Sequence, residues 1–229
     1  INFQAETAMK NKRFILYAAL TAVLLLVTLP YAWEIIKILF LKDVGIIRQM
    51  QLYQWAACGA LAYVIVQRFA TKNITWIETF SHELTHILVA MIFLRKVHSF
   101  KANEADGLVT TSGTHTYGLI PQALAPYCLP IFTYMLLALR CLVQPEGLWI
   151  FDILVGSTIA FHVLCFVRQT GNHQTDINQY PLYFSYLYIV TMQLVNLCII
   201  LVAFFPDYNV FTSVWRMATF VFENTMSYF

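Results

Sequence analysis

Charge is scarce in this chain. Asp, Glu, Lys and Arg make up 11% of its 229 residues, against about 25% in an average soluble domain. Apolar residues make up 59% and the mean hydropathy is +0.65, which excludes an ordinary water-soluble globule and identifies an integral membrane protein. Runs of one sign are missing too. The formal charge of +2 is small and scattered, so the chain has no footprint for nucleic acid. There is no C-x-x-C pair: Cys58, Cys128, Cys141, Cys165 and Cys198 lie in or beside apolar runs and read as small core residues rather than a disulfide framework. Internal repeats and linkers are also lacking, so residues 9–229 read as one membrane-embedded domain. Residues 1–8, ahead of Met9-Lys10-Asn11-Lys12-Arg13, read as a cloning remnant.

What is present is a series of apolar runs. The pattern predicts an all-α polytopic membrane protein with about six transmembrane helices: Phe14–Ile36, Gln49–Phe69, Ile74–Leu94, Tyr117–Val143, Leu148–Val167 and Tyr183–Phe205. Lys10, Lys12 and Arg13 before the first run place the N-terminus in the cytoplasm by the positive-inside rule. The fourth run carries Pro121, Pro126 and Pro130, a density that predicts a kinked or partly unwound span. Between the third and fourth, Val97–Ala102 and Gly107–Thr111 predict two short strands around an Asp106-Gly107 turn, a β-hairpin or re-entrant loop. The tail, Val210–Phe229, reads as an interfacial helix or a short further span.

The third run holds the chemistry. It contains His82-Glu83-Leu84-Thr85-His86, an H-E-x-x-H motif inside a stretch long enough to cross a bilayer. On a helix, residues four apart leave the same face one turn apart, which is the bite two imidazoles need on one Zn²⁺. Glu83 stands beside them, placed to act on water rather than to ligate. Ionisable side chains in a span each cost about 2.5–3.5 kcal/mol on insertion scales. Keeping Glu78, His82, Glu83 and His86 together therefore calls for compensation, most simply by a divalent cation.

Hydrolytic zinc takes three protein ligands and one open position. Candidates for the third are Asp152, His162, His173 and Asp176, with His98, His115 and Glu78 behind them. Asp176 is favoured, because the polar stretch Arg168–Gln179 can hold a carboxylate without making it cross the bilayer alone. Simple alternation of spans, however, puts Asp176 at the face opposite the start of the motif helix, and Asp152 has the better sidedness. Glu78 can equally hold an imidazole N–H as ligate. Asn172, His173, Gln174 and Asn178 are candidate donors to a developing oxyanion.

Taken together, these features resemble the site-2 protease class of intramembrane zinc metalloproteases, the M50-type peptidases. The resemblance rests on His82–His86 within a membrane helix, the strand-like segment and proline-bearing span behind it, and a downstream Asp before a later helix. It covers 74–205. It implies zinc on His82, His86 and Asp176, Glu83 as the general base, and cleavage of a peptide bond in a membrane-embedded or membrane-adjacent protein. The chain departs from the family at Thr85, where Gly is common, and at Thr175-Asp176-Ile177, where the Asp usually follows N-P-x-P and precedes Gly. The loop 97–116 has no room for a soluble recognition domain, so selection would fall to the membrane portion or to an accessory protein. Compact size and the lysine-led start suggest a bacterial inner membrane.

Two other readings stand beside this one. The residues could form a non-catalytic metal-binding scaffold or receptor subunit, although such a site has no need of Glu83. A di-iron membrane oxidase or hydroxylase would need about eight histidines with adjacent pairs, and this chain has six and no adjacent pair.

Overall fold

The structure, a computed structural model, describes residues 3–40, 46–69, 71–102, 107–112, 118–171, 174–205 and 208–226. They form nine helices and one hairpin: α1 (Phe3–Phe40), α2 (Ile46–Phe69), α3 (Thr71–Ile92), β1 (Lys96–Ala102), β2 (Gly107–Ser112), α4 (Leu119–Leu124), α5 (Ile131–Arg140), α6 (Leu148–Gln169), α7 (Thr175–Asn178), α8 (Leu182–Ala203) and α9 (Val210–Met226).

Three of these are long and apolar enough to cross a membrane: Lys12–Leu39 within α1, Pro145–Gln169 including α6, and α8. A fourth span is obtained if α4, its 3₁₀ extension Ala125–Tyr127 and α5 count together, but that pair bends by 82°. The prolines explain the break. Pro130 has no N–H to continue the helix and sits at the start of α5. The bend leaves carbonyls of the first half without helical partners, and α8 supplies them. Gln193 Nε2 donates to the Tyr127 carbonyl at 2.8 Å, and Asn196 Nδ2 donates to that of Cys128 at 2.9 Å. Such satisfaction is what lets irregular backbone persist at membrane depth. Of the six expected spans, the structure thus shows three or four. Helix α2, with Gln49, Gln51, Gln54 and Gln67, and α3, with its ionisable cluster, are less apolar than the others.

Helices α1 and α8 run parallel. Phe14 meets Phe184 near their starts, with ring centroids 4.9 Å apart. Tyr31, Ile35 and Leu39 meet Val195, Ile199 and Val202 toward their ends. Helices α2 and α6 cross backbone to backbone. A Cβ on Gly59 would lie 1.9 Å from the Ile153 carbonyl oxygen, and one on Gly156 would lie 1.8 Å from that of Ala56. Only glycine fits at either place, as at other small-residue membrane crossings.

The expected hairpin is present. Strands β1 and β2 are antiparallel, with Phe100 opposite Val109 and an irregularity between Val97 and Ser99. Its tip, 103–106, lies outside the described residues. Thr111 and Gln122 join hydroxyl to amide at 3.1 Å, which fastens β2 to α4 beside α3.

Candidate metal centre

The motif residues lie in the middle of α3, on the face turned toward α4 and α7. The packing decides what they meet. Tyr17 Oη on α1 accepts from the Gly118 N–H at 3.2 Å, and Ile177 of α7 is buried with Leu124, Tyr127 and Phe184. These contacts seat α7 against α4 and bring Asp176 to the two histidines. His82 Nε2 lies 3.5 Å and His86 Nε2 3.3 Å from Asp176 Oδ2. The three ligand atoms all lie within 4.8 Å of one another.

The other nitrogen of each ring is held as well. His86 Nδ1 is 2.7 Å from the Gln122 backbone carbonyl. A carbonyl only accepts, so Nδ1 carries the proton and the neutral ring's Nε2 presents a lone pair. His82 Nδ1 is 3.2 Å from Gln169 Oε1, which imposes the same tautomer. Two lone pairs and a carboxylate then converge on one point, an arrangement that needs a proton or a cation between them. Tetrahedral zinc with ligand bonds of about 2.0–2.2 Å sets its ligand atoms about 3.3–3.5 Å apart, which matches the two histidine–aspartate separations. The donor set and its support by oxygen acceptors fit zinc.

Asp176 is shielded, and burial alone would raise its pKa. With protons on the two Nε2 atoms, the hydrogen bonds and charge of His82 and His86 outweigh that and hold the carboxyl well below the usual carboxylate range. It is ionised at neutral pH, as a ligand must be.

Glu83 is buried beside this cluster. The start of β2 covers it so closely that a Cβ on Gly107 would fall 2.1 Å from Glu83 Oε1. Two cavities of about 460 Å³ each meet at Glu83, Gly107 and Asp176. The first opens under β2 and is walled by His86, Leu108, Val109, Leu119 and Ala123 among others. The second has no apolar side chain in its wall, only groups such as Thr75, Thr79, Arg168, Gln169 and Gln174. A cavity of that chemistry inside an apolar protein can hold water next to Glu83.

Several sequence expectations are corrected here. Asp152 does not approach the histidines. It pairs with Arg140 Nε at 2.7 Å between α5 and α6, with Asp152 buried and Arg140 half-buried. Glu78 neither ligates nor holds an imidazole: its Oε1 accepts from Arg168 Nη1 at 2.6 Å. His162 faces Gln193 at 3.1 Å, and His98 faces Ser112. Asn172, His173 and His115 lie outside the described residues. The roles of Gln122, Gln169 and Gly107 escaped sequence reading. A backbone carbonyl carries no signature, and a lone Gln or Gly is informative only once its neighbours are known.

No curated protein and no solved structure matches the chain. The model of the Peptidase M50B-like family matches residues 55–226, a stretch that contains α3, the hairpin, the broken span, α7 and α8. The chain is thus an integral membrane protein that belongs to the Peptidase M50B-like family, within the M50 or site-2 protease group.

Proposed function

We propose that this protein is a zinc-dependent intramembrane peptidase, with His82, His86 and Asp176 as metal ligands and Glu83 as general base. The observation that carries the reading is the convergence of both Nε2 atoms on Asp176 Oδ2 while oxygen acceptors occupy both Nδ1 atoms. Zinc, when bound, supplies Lewis acidity toward water and the scissile carbonyl. Glu83 takes the proton of the attacking water and returns it to the departing amide nitrogen, so its carboxylate must face both cavities, and it lines each. A structural metal site would have no use for a buried carboxylate there.

The substrate segment must be extended for its carbonyl to be attacked. The wall of the first cavity includes the run Gly107–Thr111, and β2 pairs only on its β1 side among the described residues. A substrate strand can add to the other edge. Water arrives through the second, polar cavity. Helices α2 and α3 complete the membrane portion, with large apolar side chains exposed on both, among them Leu61, Ile65, Val66, Met91 and Ile92. A cytoplasmic N-terminus puts the metal in the cytoplasmic half of the bilayer. Tyr17, near the start of α1, lies against Gly118 beside the site. The substrate is a membrane protein, selected by these membrane elements or by an accessory protein, in a bacterial inner membrane.

The test compares membrane proteomes of cells making the wild type or Glu83→Gln, reading new protein N-termini by mass spectrometry, with metal content measured on both purified proteins. Cleavage products present only with wild type, and zinc in both, are expected. Zinc in both without any difference in cleavage would leave a metal-binding scaffold and overturn the peptidase.

A further inference from the structure

A further cavity lies toward the far ends of α1 and α8, the end opposite Phe14 and Phe184. It is about 250 Å³ and sits where α1, α8 and α9 meet, with Tyr31, Ile35, Ile38, Val202, Phe205 and Arg216 in its wall. Three of its features call for an occupant. The Tyr31 hydroxyl is buried and has no hydrogen-bond partner among the described residues, a cost that a bound acceptor would remove. Arg216 has no ion-pair partner among the described residues, and its guanidinium lies 5.0 Å from the centre of the Tyr208 ring, which fixes its position. Glu34, the other charged group in the wall, is paired with Lys37, which lies outside the wall one turn on, and the three charges together sum to one positive. The rest of the wall is aliphatic or aromatic.

We propose that this cavity binds a membrane phospholipid. The phosphate accepts from Arg216 and from the Tyr31 hydroxyl, and the first part of one acyl chain lies between Ile35, Ile38, Val202 and Phe205. Position supports this occupant over a soluble one. The walls are the ends of two membrane-crossing helices, where a lipid's phosphate and upper chain reside. Helix α9, which brings Arg216, also exposes Phe211, Val214, Trp215 and Phe222, as an interfacial helix does. A guanidinium is suited to a phosphate because it offers several donors in one plane. The inference is independent of the metal centre. It gives α9 a purpose: the lipid fastens α9 to the α1–α8 pair.

The experiment measures the thermal unfolding midpoint of the detergent-purified full chain with dioleoyl-phosphatidylglycerol, with dioleoylglycerol, or with inorganic phosphate alone. The expected result is a rise of about 2–4 °C with the phospholipid, of the size ligand binding gives a chain of this length, and no rise with the other two. Arg216→Gln and Tyr31→Phe should each remove most of that rise. Ile38→Trp fills the chain slot while leaving both phosphate donors in place, and should abolish the rise even if Arg216→Gln fails to fold. An equal rise with dioleoylglycerol would show a cavity that takes chains without a headgroup, and an equal rise with inorganic phosphate would show a soluble-anion site. Either result, or an undiminished rise in the variants, would overturn the proposal.

Discussion

His86 donates its Nδ1 proton to the Gln122 backbone carbonyl across 2.7 Å. That one bond fixes the tautomer that points a lone pair from Nε2 at Asp176, 3.3 Å away. It ties the motif helix to the broken span, because the carbonyl belongs to α4. The candidate metal centre is thus a joint between two elements, held in place by a group that no side-chain substitution can remove.

Metal content should follow the geometry. The wild type should carry about one zinc per chain by elemental analysis, kept in Glu83→Gln and lost in His86→Ala and Asp176→Ala. Glu83→Gln should lower cleavage by about 10²–10⁴-fold, the usual range for a general base. Zinc retained in Asp176→Ala would remove that residue from the ligand set.

Gln169 gives a graded version of the same test. Its Oε1 is the oxygen facing His82 Nδ1, so Gln169→Leu should weaken zinc binding by about 10–100-fold. Gln169→Glu, which keeps an acceptor, should restore it. Competition with a chelator of known affinity measures both.

Asp152 should behave as a structural residue. With Arg140 half-buried opposite it, Asp152→Ala leaves a partly desolvated cation unpaired, at about 1–3 kcal/mol in stability. Zinc stoichiometry should be unchanged in the fraction that folds. Chemical unfolding with metal analysis of the folded peak separates these effects, and loss of zinc in well-folded protein would contradict the assignment.

Gly107→Ala should be milder for folding than for activity. The added Cβ meets the far end of the Glu83 side chain rather than backbone, so the carboxylate can swing aside. Displacement of a catalytic group by about 1 Å can cost about 10²-fold in rate. Cleavage should fall by about that factor with zinc retained and little change in the unfolding midpoint, and unaltered cleavage would show that Glu83 does not need this position.

Acid should release the metal through the histidines. The Asp176 carboxyl is held below the ordinary carboxylate range, so it contributes stability that is complete above that range and is lost as pH falls through it toward the lowered value. Zinc lost as pH falls from about 7 to 5 is therefore not lost through this carboxyl, and reflects proton competition at imidazole donors, which bind metal only when neutral. Zinc retention across that interval by inductively coupled plasma analysis checks this, and full retention at pH 5 would contradict it.

The sequence by itself determined the membrane class, the hairpin, the proline break and the motif triplet. These are local properties: composition, strand and turn propensity, the missing N–H of Pro130, and a spacing of four that any α-helix turns into one face. The third partner of the histidines was not local. Counting apolar runs as single crossings favoured Asp152 on sidedness, and that count misleads because α4 and α5 meet at 82°. Arg140 on α5 takes Asp152, and α7 packs its Ile177 under α4 to deliver Asp176. The oxygens behind each imidazole and the glycine over Glu83 were equally hidden. Only tertiary structure decided them, because each depends on where distant segments cross, and the spacing within one helix says nothing about what lies across from it.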